Sequence, residues 1–222
     1  MKIMDKAIND FRLKLLRQAA RKVLPDGYWE NHKKDCHLTF DDGPFPETTP
    51  YLAELLTERG VSATFFFTGE NARKYPELVK TVAEAGHQIG NHSYSHLFCY
   101  AESQDAFRQG IELTNNYIEE ASGKRPVVYR PPFGIIDKSR ALALEAMGMK
   151  LVYWGALAED WQAIGEIEVV RRIDKQLEPG TIIVLHETEK NRSQCLKATG
   201  MVIDRARDQG YSFDAIAHTA NE

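Results

Sequence analysis

The sequence has few cysteines and no closely spaced pair of them. Cys36, Cys99 and Cys195 are widely separated along the 222 residues. The lack of a Cys-x-x-Cys pair excludes zinc knuckles and thioredoxin-type redox motifs. Three cysteines without a pairing pattern favour a reducing compartment over an oxidising one, and each also fits the role of a small buried apolar residue.

Long hydrophobic runs are missing as well. No stretch approaches the about 20 apolar residues that a membrane-spanning helix needs, so we expect no integral membrane segment. Lys14, Arg17, Arg21 and Lys22 interrupt the apolar residues near the N-terminus, where a secretory signal would need a continuous apolar segment. The sequence therefore predicts a cytoplasmic protein and leaves action outside the cytoplasm open.

An overall excess of basic charge is also absent. The net charge is −4 at pH 7, which argues against nucleic acid as a partner. Residues 1–24 are locally basic, and apolar residues recur at helical spacing over 5–24 until Pro25-Asp26-Gly27 ends the pattern. A basic amphipathic helix can lie on a membrane surface, but we predict that residues 1–27 pack on the domain formed by residues 28–222.

Strand and helix patterns alternate from Asp35 onward. The predicted strands are 36–41, 62–68, 87–91, 127–130, 150–154, 181–185 and 211–213. The predicted helices are 47–59, 72–85, 102–121, 138–147, 166–177 and 192–209. This alternation predicts an α/β fold with a parallel sheet. About seven units favour a distorted (β/α) barrel, similar to a TIM barrel, and a doubly wound open sheet is the alternative.

Two of the predicted strand ends carry candidate metal ligands. Asp41 and Asp42 end the first strand, where one of two successive side chains faces inward, and a buried acid needs a partner such as a metal ion. A solvated turn is the alternative, since Asp before Gly is common in turns. His92 and His96 follow the third strand, and one helical turn would place both on one face. Two His and one carboxylate form a familiar site for a first-row metal.

Three further strand ends carry polar or aromatic residues. Arg130 begins Arg-Pro-Pro-Phe-Gly, a rigid loop that can hold one Arg and one backbone N–H in place. Asp160 and Trp161 follow the fifth strand, and His186 follows the sixth, where a general acid would stand. Taken singly, the Arg130 motif is weak evidence because a plain turn also explains it, Asp160 also fits a helix cap, and a lone His at position 186 is more often a structural His.

These five segments, in this order, resemble the polysaccharide deacetylase family of carbohydrate esterases, the NodB-homology domain of carbohydrate esterase family 4. They are TFDDGP at 39–44, HSYSH at 92–96, RPPFG at 130–134, EDW at 159–161 and the apolar strand that ends in His186. The resemblance covers Asp35 to about Glu187 and makes residues 28–222 the catalytic domain. The family often has Asp at the position of Leu157, so we expect the hydrogen bonding of that loop to differ.

The resemblance implies a metal-dependent hydrolase that removes N-acetyl groups from N-acetylglucosamine units of peptidoglycan or chito-oligosaccharide. It implies that Asp41 is the base for a metal-activated water and that His186 is the acid. It further implies that Arg130 pairs with the base and that Asp160 orients His186. The implied partner is an acetylated carbohydrate, and the oligomeric state is left open.

The resemblance also implies the ligands of the cofactor and the walls of the substrate pocket. The expected cofactor is a divalent metal, zinc first and cobalt or manganese as alternatives, bound by Asp42, His92 and His96. The backbone N–H of Phe133 helps to hold the oxyanion, and Trp161 and Leu185 line the acetyl pocket. The alternative functions are an O-acetyl esterase acting on xylan and a non-catalytic carbohydrate-binding relative.

Overall fold

A computed structural model of the chain describes residues 2–30, 35–188, 190 and 192–216, and for residues 2–11 and 14 it describes the backbone alone. The strands are β1 His37–Asp41, β2 Thr64–Phe67, β3 Gln88–Asn91, β4 Val128–Tyr129, β5 Lys150–Leu151, β6 Ala156–Leu157 and β7 Ile182–His186. The α-helices are α1 Lys2–Val23, α2 Thr49–Glu58, α3 Gly69–Lys74, α4 Pro76–Glu84, α5 Gln104–Ser122, α6 Lys138–Ala146, α7 Glu166–Asp174 and α8 Arg192–Asp208.

The seven strands form one parallel sheet in the order β5-β4-β3-β2-β1-β7-β6. The two edge strands, β5 and β6, follow each other directly in the chain and are joined by residues 152–155. In a flat sheet, six spacings of about 4.8 Å would separate the edges by about 29 Å, whereas this connection reaches about 18 Å at most. The sheet therefore curls into a half-barrel with helices around it, which confirms the predicted distorted barrel of seven parallel strands.

Two predicted elements differ from the structure. The expected strand at 211–213 is a single bridge between Cys36 and Phe213, and the seventh strand is instead the two-residue β6, which is too short to show a periodic pattern. The expected helix at 72–85 is two helices, α3 and α4, that meet at Tyr75. The following Pro76 disfavours helical backbone at Tyr75, whose φ and ψ are −131° and 57°.

The centre of the sheet is buried on both faces. Every residue of β1 and β2 is buried, as parallel strands covered by helices require. Phe40 and Phe65 stack with ring centroids 4.9 Å apart in the main core. This packing fixes the strands whose carboxyl ends carry the polar residues described below.

Helix α1 contacts the domain along one side. Leu13 is buried, Arg17 donates a hydrogen bond of 2.8 Å to the carbonyl of Gly155, and Arg12 pairs with Glu159 at 2.6 Å. Among the side chains that the structure describes on this helix, Leu15, Leu16 and Val23 are large, apolar and exposed. Of the helices in the described part of the chain, none combines the length and the apolar character that crossing a bilayer requires.

Candidate active site

Asp41 is buried at the end of β1 and pairs with a buried arginine. Its Oδ1 accepts a hydrogen bond of 2.7 Å from Nη1 of Arg130. Arg130 also donates to Thr39 Oγ1 at 2.7 Å and to the carbonyl of Tyr153 at 3.0 Å, and its guanidinium lies 4.2 Å from the ring centroid of Phe66. Burial lowers the pKa of Arg130, and the adjacent Asp41 opposes that change. The arginine therefore holds one carboxylate oxygen and leaves Oδ2 for other contacts.

Asp42 turns in another direction because its backbone is left-handed, with φ of 77°. Its Oδ1 lies 3.4 Å from Nε2 of His92 and 3.2 Å from Nε2 of His96. Burial raises the pKa of Asp42, but the interactions with His92, His186 and His96 outweigh it and lower the pKa to about 2. Asp42 is thus ionised at neutral pH and faces two imidazole nitrogens.

The two imidazoles converge through a loop and not through the helical turn that we expected. Residues 92–98 carry no helix, and left-handed backbone at Ser93 and His96, with φ of 67° and 53°, brings the rings together. Nδ1 of His92 lies 2.7 Å from the carbonyl of Arg130 and must donate its proton there, so Nε2 is the nitrogen that a neutral imidazole offers to a metal. Burial and the neighbouring His92 lower the pKa of His96, which favours the neutral form that binds metals.

The residues fit a divalent metal ion. One ligand atom each from Asp42, His92 and His96 lies within 4.8 Å of the others. Among the described residues, Oδ1 of Asp42 is buried and has no hydrogen-bond partner, which is costly unless another group satisfies it. Two nitrogens and one carboxylate oxygen suit zinc and other first-row metals. The structure therefore brings together the three predicted ligands, and the identity of the metal stays open.

The loop after β4 places Phe133 beside the same site, with its ring centroid 4.9 Å from that of His96. Gly134 and Ile135 donate the turn's hydrogen bonds to Pro131 and Pro132 at 3.0 and 3.4 Å, and neither bond uses the N–H of Phe133. A Cβ at Gly134 would lie 2.3 Å from the ring of Trp154, so only glycine fits there.

Asp160 holds His186 by two hydrogen bonds. Its Oδ2 accepts from the backbone N–H of His186 at 2.7 Å, and its Oδ1 lies 2.8 Å from the ring Nδ1. Burial lowers the pKa of His186, but the charge and hydrogen bond of Asp160, together with the two acids at the end of β1, raise it to about 9. Asp41 and His186 are register partners on β1 and β7. Trp161 is about half exposed with its ring 5.0 Å from that of His186, whereas Leu185 is fully buried in the core.

The loop at Leu157 is held by hydrogen bonds from Arg172 of α7 and from Gln176, just after that helix. Nε2 of Gln176 donates to the carbonyl of Leu157 at 2.9 Å. Glu159 has left-handed backbone, with φ of 59°, and accepts from Arg172 at 2.7 Å. These contacts hold the loop that carries Asp160, although position 157 has Leu in place of the Asp that is common in the family.

Sequence reasoning missed Glu187, which supports the turn after β1. Its buried Oε2 accepts hydrogen bonds from Thr48 at 3.0 Å and from Thr49, and its N–H donates to the carbonyl of Asp41 at 3.0 Å. Burial raises the pKa of Glu187 to about 8. A Cβ at Gly43 would lie 2.1 Å from Oε1 of Glu187. The partners are far apart in the sequence, so no local pattern signals them.

The sequence is similar to a known protein family and to several characterised enzymes. The profile of the polysaccharide deacetylase family matches residues 29–152. A peptidoglycan-N-acetylglucosamine deacetylase of Bacillus cereus is 33% identical over 203 residues, which cover 89% of this chain and 95% of the relative. A peptidoglycan-N-acetylglucosamine deacetylase of Listeria monocytogenes is 32% identical over 183 residues, which cover 82% of this chain and only 38% of that longer relative.

A solved structure shares the fold. It is a crystal structure of a peptidoglycan N-acetylglucosamine deacetylase in complex with a naphthalenyl N-oxidanyl-benzamide, and it aligns with a TM-score of 0.82 at 31% identity. The alignment covers 87% of this chain and 90% of the other. The two chains therefore share their fold over most of their length.

Proposed function

The chain belongs to the polysaccharide deacetylase family, and we propose that it is a metal-dependent hydrolase that removes N-acetyl groups from N-acetylglucosamine-containing poly- or oligosaccharides. The names of the relatives favour peptidoglycan over chito-oligosaccharide as the glycan. The observation that carries the proposal is the buried, unpartnered Oδ1 of Asp42, which faces His92 and His96 next to the arginine-held Asp41.

The metal would be held by Asp42, His92 and His96. When bound, such a metal polarises an amide carbonyl and lowers the pKa of water. The hydrogen bond from Nδ1 of His92 to the carbonyl of Arg130 orients the ring so that Nε2 points to the ligand position. Zinc is the first candidate because it prefers this donor set.

Asp41 is the proposed base. Arg130 occupies its Oδ1, so Oδ2 is the oxygen that takes a proton from the attacking water. The bond from the buried cation fixes the rotamer of the carboxylate, which orients it for general-base catalysis. The backbone N–H of Phe133 would donate to the carbonyl oxygen as negative charge develops on it.

His186 is the proposed acid. Its Nδ1 is engaged by Asp160, so Nε2 is the atom that gives a proton to the departing nitrogen. Because the pKa of His186 is raised to about 9, the ring carries that proton at neutral pH. Amide hydrolysis needs such an acid, since an amine leaves poorly without a proton.

Acetate release tests the proposal directly. Enzyme treated with EDTA should release little acetate from chito-oligosaccharides or peptidoglycan fragments, and added zinc, cobalt or manganese should restore it. Acetylated xylan serves as the comparison substrate, because release from xylan alone would favour the O-acetyl esterase. A sugar that binds and is never hydrolysed would favour a non-catalytic relative.

Two adjacent substitutions form a matched pair. Asp41→Asn should lower kcat by roughly 10²- to 10⁴-fold and retain metal binding, because the three ligands remain. Asp42→Asn should abolish metal binding, measured by calorimetry and by metal content. Equal metal content in wild type and Asp42→Asn would refute the assigned site, and unchanged turnover in Asp41→Asn would refute the assigned base.

A further inference from the structure

Tyr153 lies buried in the connection between β5 and β6, and each of its polar groups has a partner. Its carbonyl accepts the 3.0 Å hydrogen bond from Arg130. Its backbone N–H donates to the carbonyl of Tyr28 at 2.7 Å, and its hydroxyl donates to the carbonyl of Pro25 at 3.1 Å. Both donors of Tyr153 are therefore bound by residues 25–29, which we call the strap, and its acceptor is bound by Arg130.

The strap also packs against the ring of Tyr153. Trp29 is buried and stacks on this ring, with centroids 4.2 Å apart and planes inclined by 17°, and its centroid lies 5.0 Å from that of Trp154. Gly27 lies so close that a Cβ there would be 2.8 Å from the ring of Tyr153 and 2.9 Å from the carbonyl of Leu151. Since a stacked aromatic pair gains more than burial alone provides, the strap fixes both the place and the tilt of Tyr153.

Side chains on both sides of the strap hold it in place. Arg21 of α1 pairs with Glu30 at 2.7 Å, and its guanidinium lies 5.9 Å from the ring centroid of Trp29. Leu24, directly after α1, packs against the apolar cluster that contains Trp29 and Tyr153. Groups that support a reacting residue act well only when packing locks their own positions, and the strap meets this condition.

Tyr153 links the strap to the proposed base. Arg130 is buried and donates to Asp41, to Thr39 and to the carbonyl of Tyr153. Among the described residues, none accepts a hydrogen bond from its Nε, so the guanidinium has no spare bond with which to replace a lost one. A shift of the Tyr153 carbonyl would therefore leave a second buried N–H unsatisfied or turn the guanidinium away from Asp41.

We propose that Trp29 and Gly27 of the strap are positioning residues for Asp41. They fix Tyr153, whose carbonyl fixes the guanidinium of Arg130, and Arg130 holds Oδ1 of the base. This inference rests on the proposed function, because Asp41 acts as a base only in that reaction. A displacement of about 1 Å at a reacting group can lower a rate by about 10²-fold, so a small movement of the strap is enough to change turnover.

Steady-state acetate release by metal-loaded enzyme tests the inference. The backbone of Gly27 is not left-handed, so Gly27→Ala acts through its contact with Tyr153. Carbon atoms pack at about 3.5–4.0 Å, so a Cβ at 2.8 Å must move the ring. We expect kcat to fall by roughly tenfold and KM to stay within about twofold, because the base is displaced and the substrate contacts are kept.

Two substitutions at Trp29 separate the stacking from the size of the side chain. Trp29→Leu should also lower kcat by roughly tenfold, whereas Trp29→Phe keeps a ring to stack on Tyr153 and should stay within about threefold of wild type. Tyr153→Phe is the mildest change, since it removes only the hydrogen bond to Pro25. It remains testable if a larger change prevents folding, and its kcat should fall by roughly threefold.

The stability control is Ile118→Val on α5. Ile118 is buried in the main core, in a cluster that does not include Trp29 or Tyr153, and loss of a core methylene lowers the urea midpoint. Its kcat should nevertheless equal that of wild type. Wild-type kcat in every strap variant that folds, or an equal loss of kcat in Ile118→Val, would overturn the inference.

NMR of the Arg130 side chain tests the same link without turnover. With zinc present, its buried, hydrogen-bonded N–H protons should exchange slowly with water in wild type. Gly27→Ala and Tyr153→Phe should shift these signals and speed their exchange, and Ile118→Val should not. If no glycan released acetate, the proposed function would fail, whereas altered Arg130 signals would still support the strap. Unaltered Arg130 signals in both variants would overturn it.

Discussion

Replacing Asp160 by Asn should lower the pKa of His186 from about 9 to near the ordinary value of 6.5. Asp160 raises that pKa through its charge and through the 2.8 Å contact with Nδ1, and a neutral amide retains neither the charge nor the strength of the bond. Burial, which acts in the opposite direction, then has more weight. Asn still offers an oxygen to the backbone N–H of His186, so the strand end should keep its shape.

The size of the effect follows from the two pKa values. With a pKa of about 9, His186 is almost fully protonated at pH 7.5, whereas a pKa of 6.5 leaves about one-tenth protonated. If His186 is the acid, kcat/KM at pH 7.5 should fall about tenfold from protonation alone. The alkaline limb of the pH profile should move toward neutral pH by the same amount as the pKa.

The interaction between Asp160 and His186 also predicts a pH-dependent contribution to the free energy of unfolding. A pKa of about 9 instead of 6.5 corresponds to on the order of 3 kcal/mol in favour of the folded, protonated state. Because the folded-state pKa is the higher one, this stabilisation is fully present below pH 6.5 and is lost as pH rises through about 9. Urea unfolding of wild type should show the loss, and Asp160→Asn should not.

NMR titration of the His186 ring in metal-free protein measures the pKa without relying on turnover. The matched control is Glu159→Gln, which removes the neighbouring charge but no bond to His186, since Glu159 pairs with Arg12 and Arg172. Its His186 should still titrate near pH 9. A His186 pKa that stays high in Asp160→Asn, or an alkaline limb that does not follow it, would refute the reasoning.

Three further predictions concern the turn after β1 and the first helix. Gly43→Ala should destabilise the fold by roughly 1–3 kcal/mol and weaken metal binding, because the new Cβ would lie 2.1 Å from Oε1 of Glu187. Urea unfolding measures the loss of stability. Gly200→Ala is the control, because its new Cβ would meet only the end of an arginine side chain, at 3.3 Å. The folded-state pKa of Glu187 is raised to about 8, so wild type should lose stability relative to Glu187→Gln as pH rises from about 4.5 to 8, and parallel unfolding curves at all pH values would contradict this. The full chain should not sediment with anionic vesicles, and salt-sensitive sedimentation that disappears on removal of residues 1–24 would show that α1 binds lipid.

The order of elements could be predicted from the sequence, but their ends and the shortest strands could not. Periodicity is clear in β1, β2 and β7, where runs of apolar residues are buried on both faces. It fails at β6, where Ala156 and Leu157 show no pattern and pair only because β7 lies beside them. The break between α3 and α4 could have been predicted, because Pro76 follows Tyr75 in the sequence. Helical spacing of the apolar residues on both sides led instead to the prediction of one continuous helix.

The candidate ligands could be named from the sequence because their motifs are local, but the groups that hold them could not. Asp41 and Asp42 are adjacent, and their different directions depend on left-handed backbone at Asp42, which Asp tolerates but which the sequence does not assign to one of the two residues. Arg130 was recognisable from its motif, whereas its contact with the carbonyl of Tyr153 joins segments that only the tertiary fold brings together. The division at residue 27 and the cytoplasmic location stay predictions.

The irregular part of the barrel is what builds much of the site. Residues 152–155 cross from one sheet edge to the other, and in doing so they place the carbonyl of Tyr153 on Arg130 and the ring of Trp154 against Gly134. The first contact fixes the cation that holds the proposed base, and the second fixes the turn that carries Phe133. A regular eighth unit would close the sheet with a strand and a helix but would remove this crossing, so the incomplete closure of the barrel and the geometry of the site have the same structural origin.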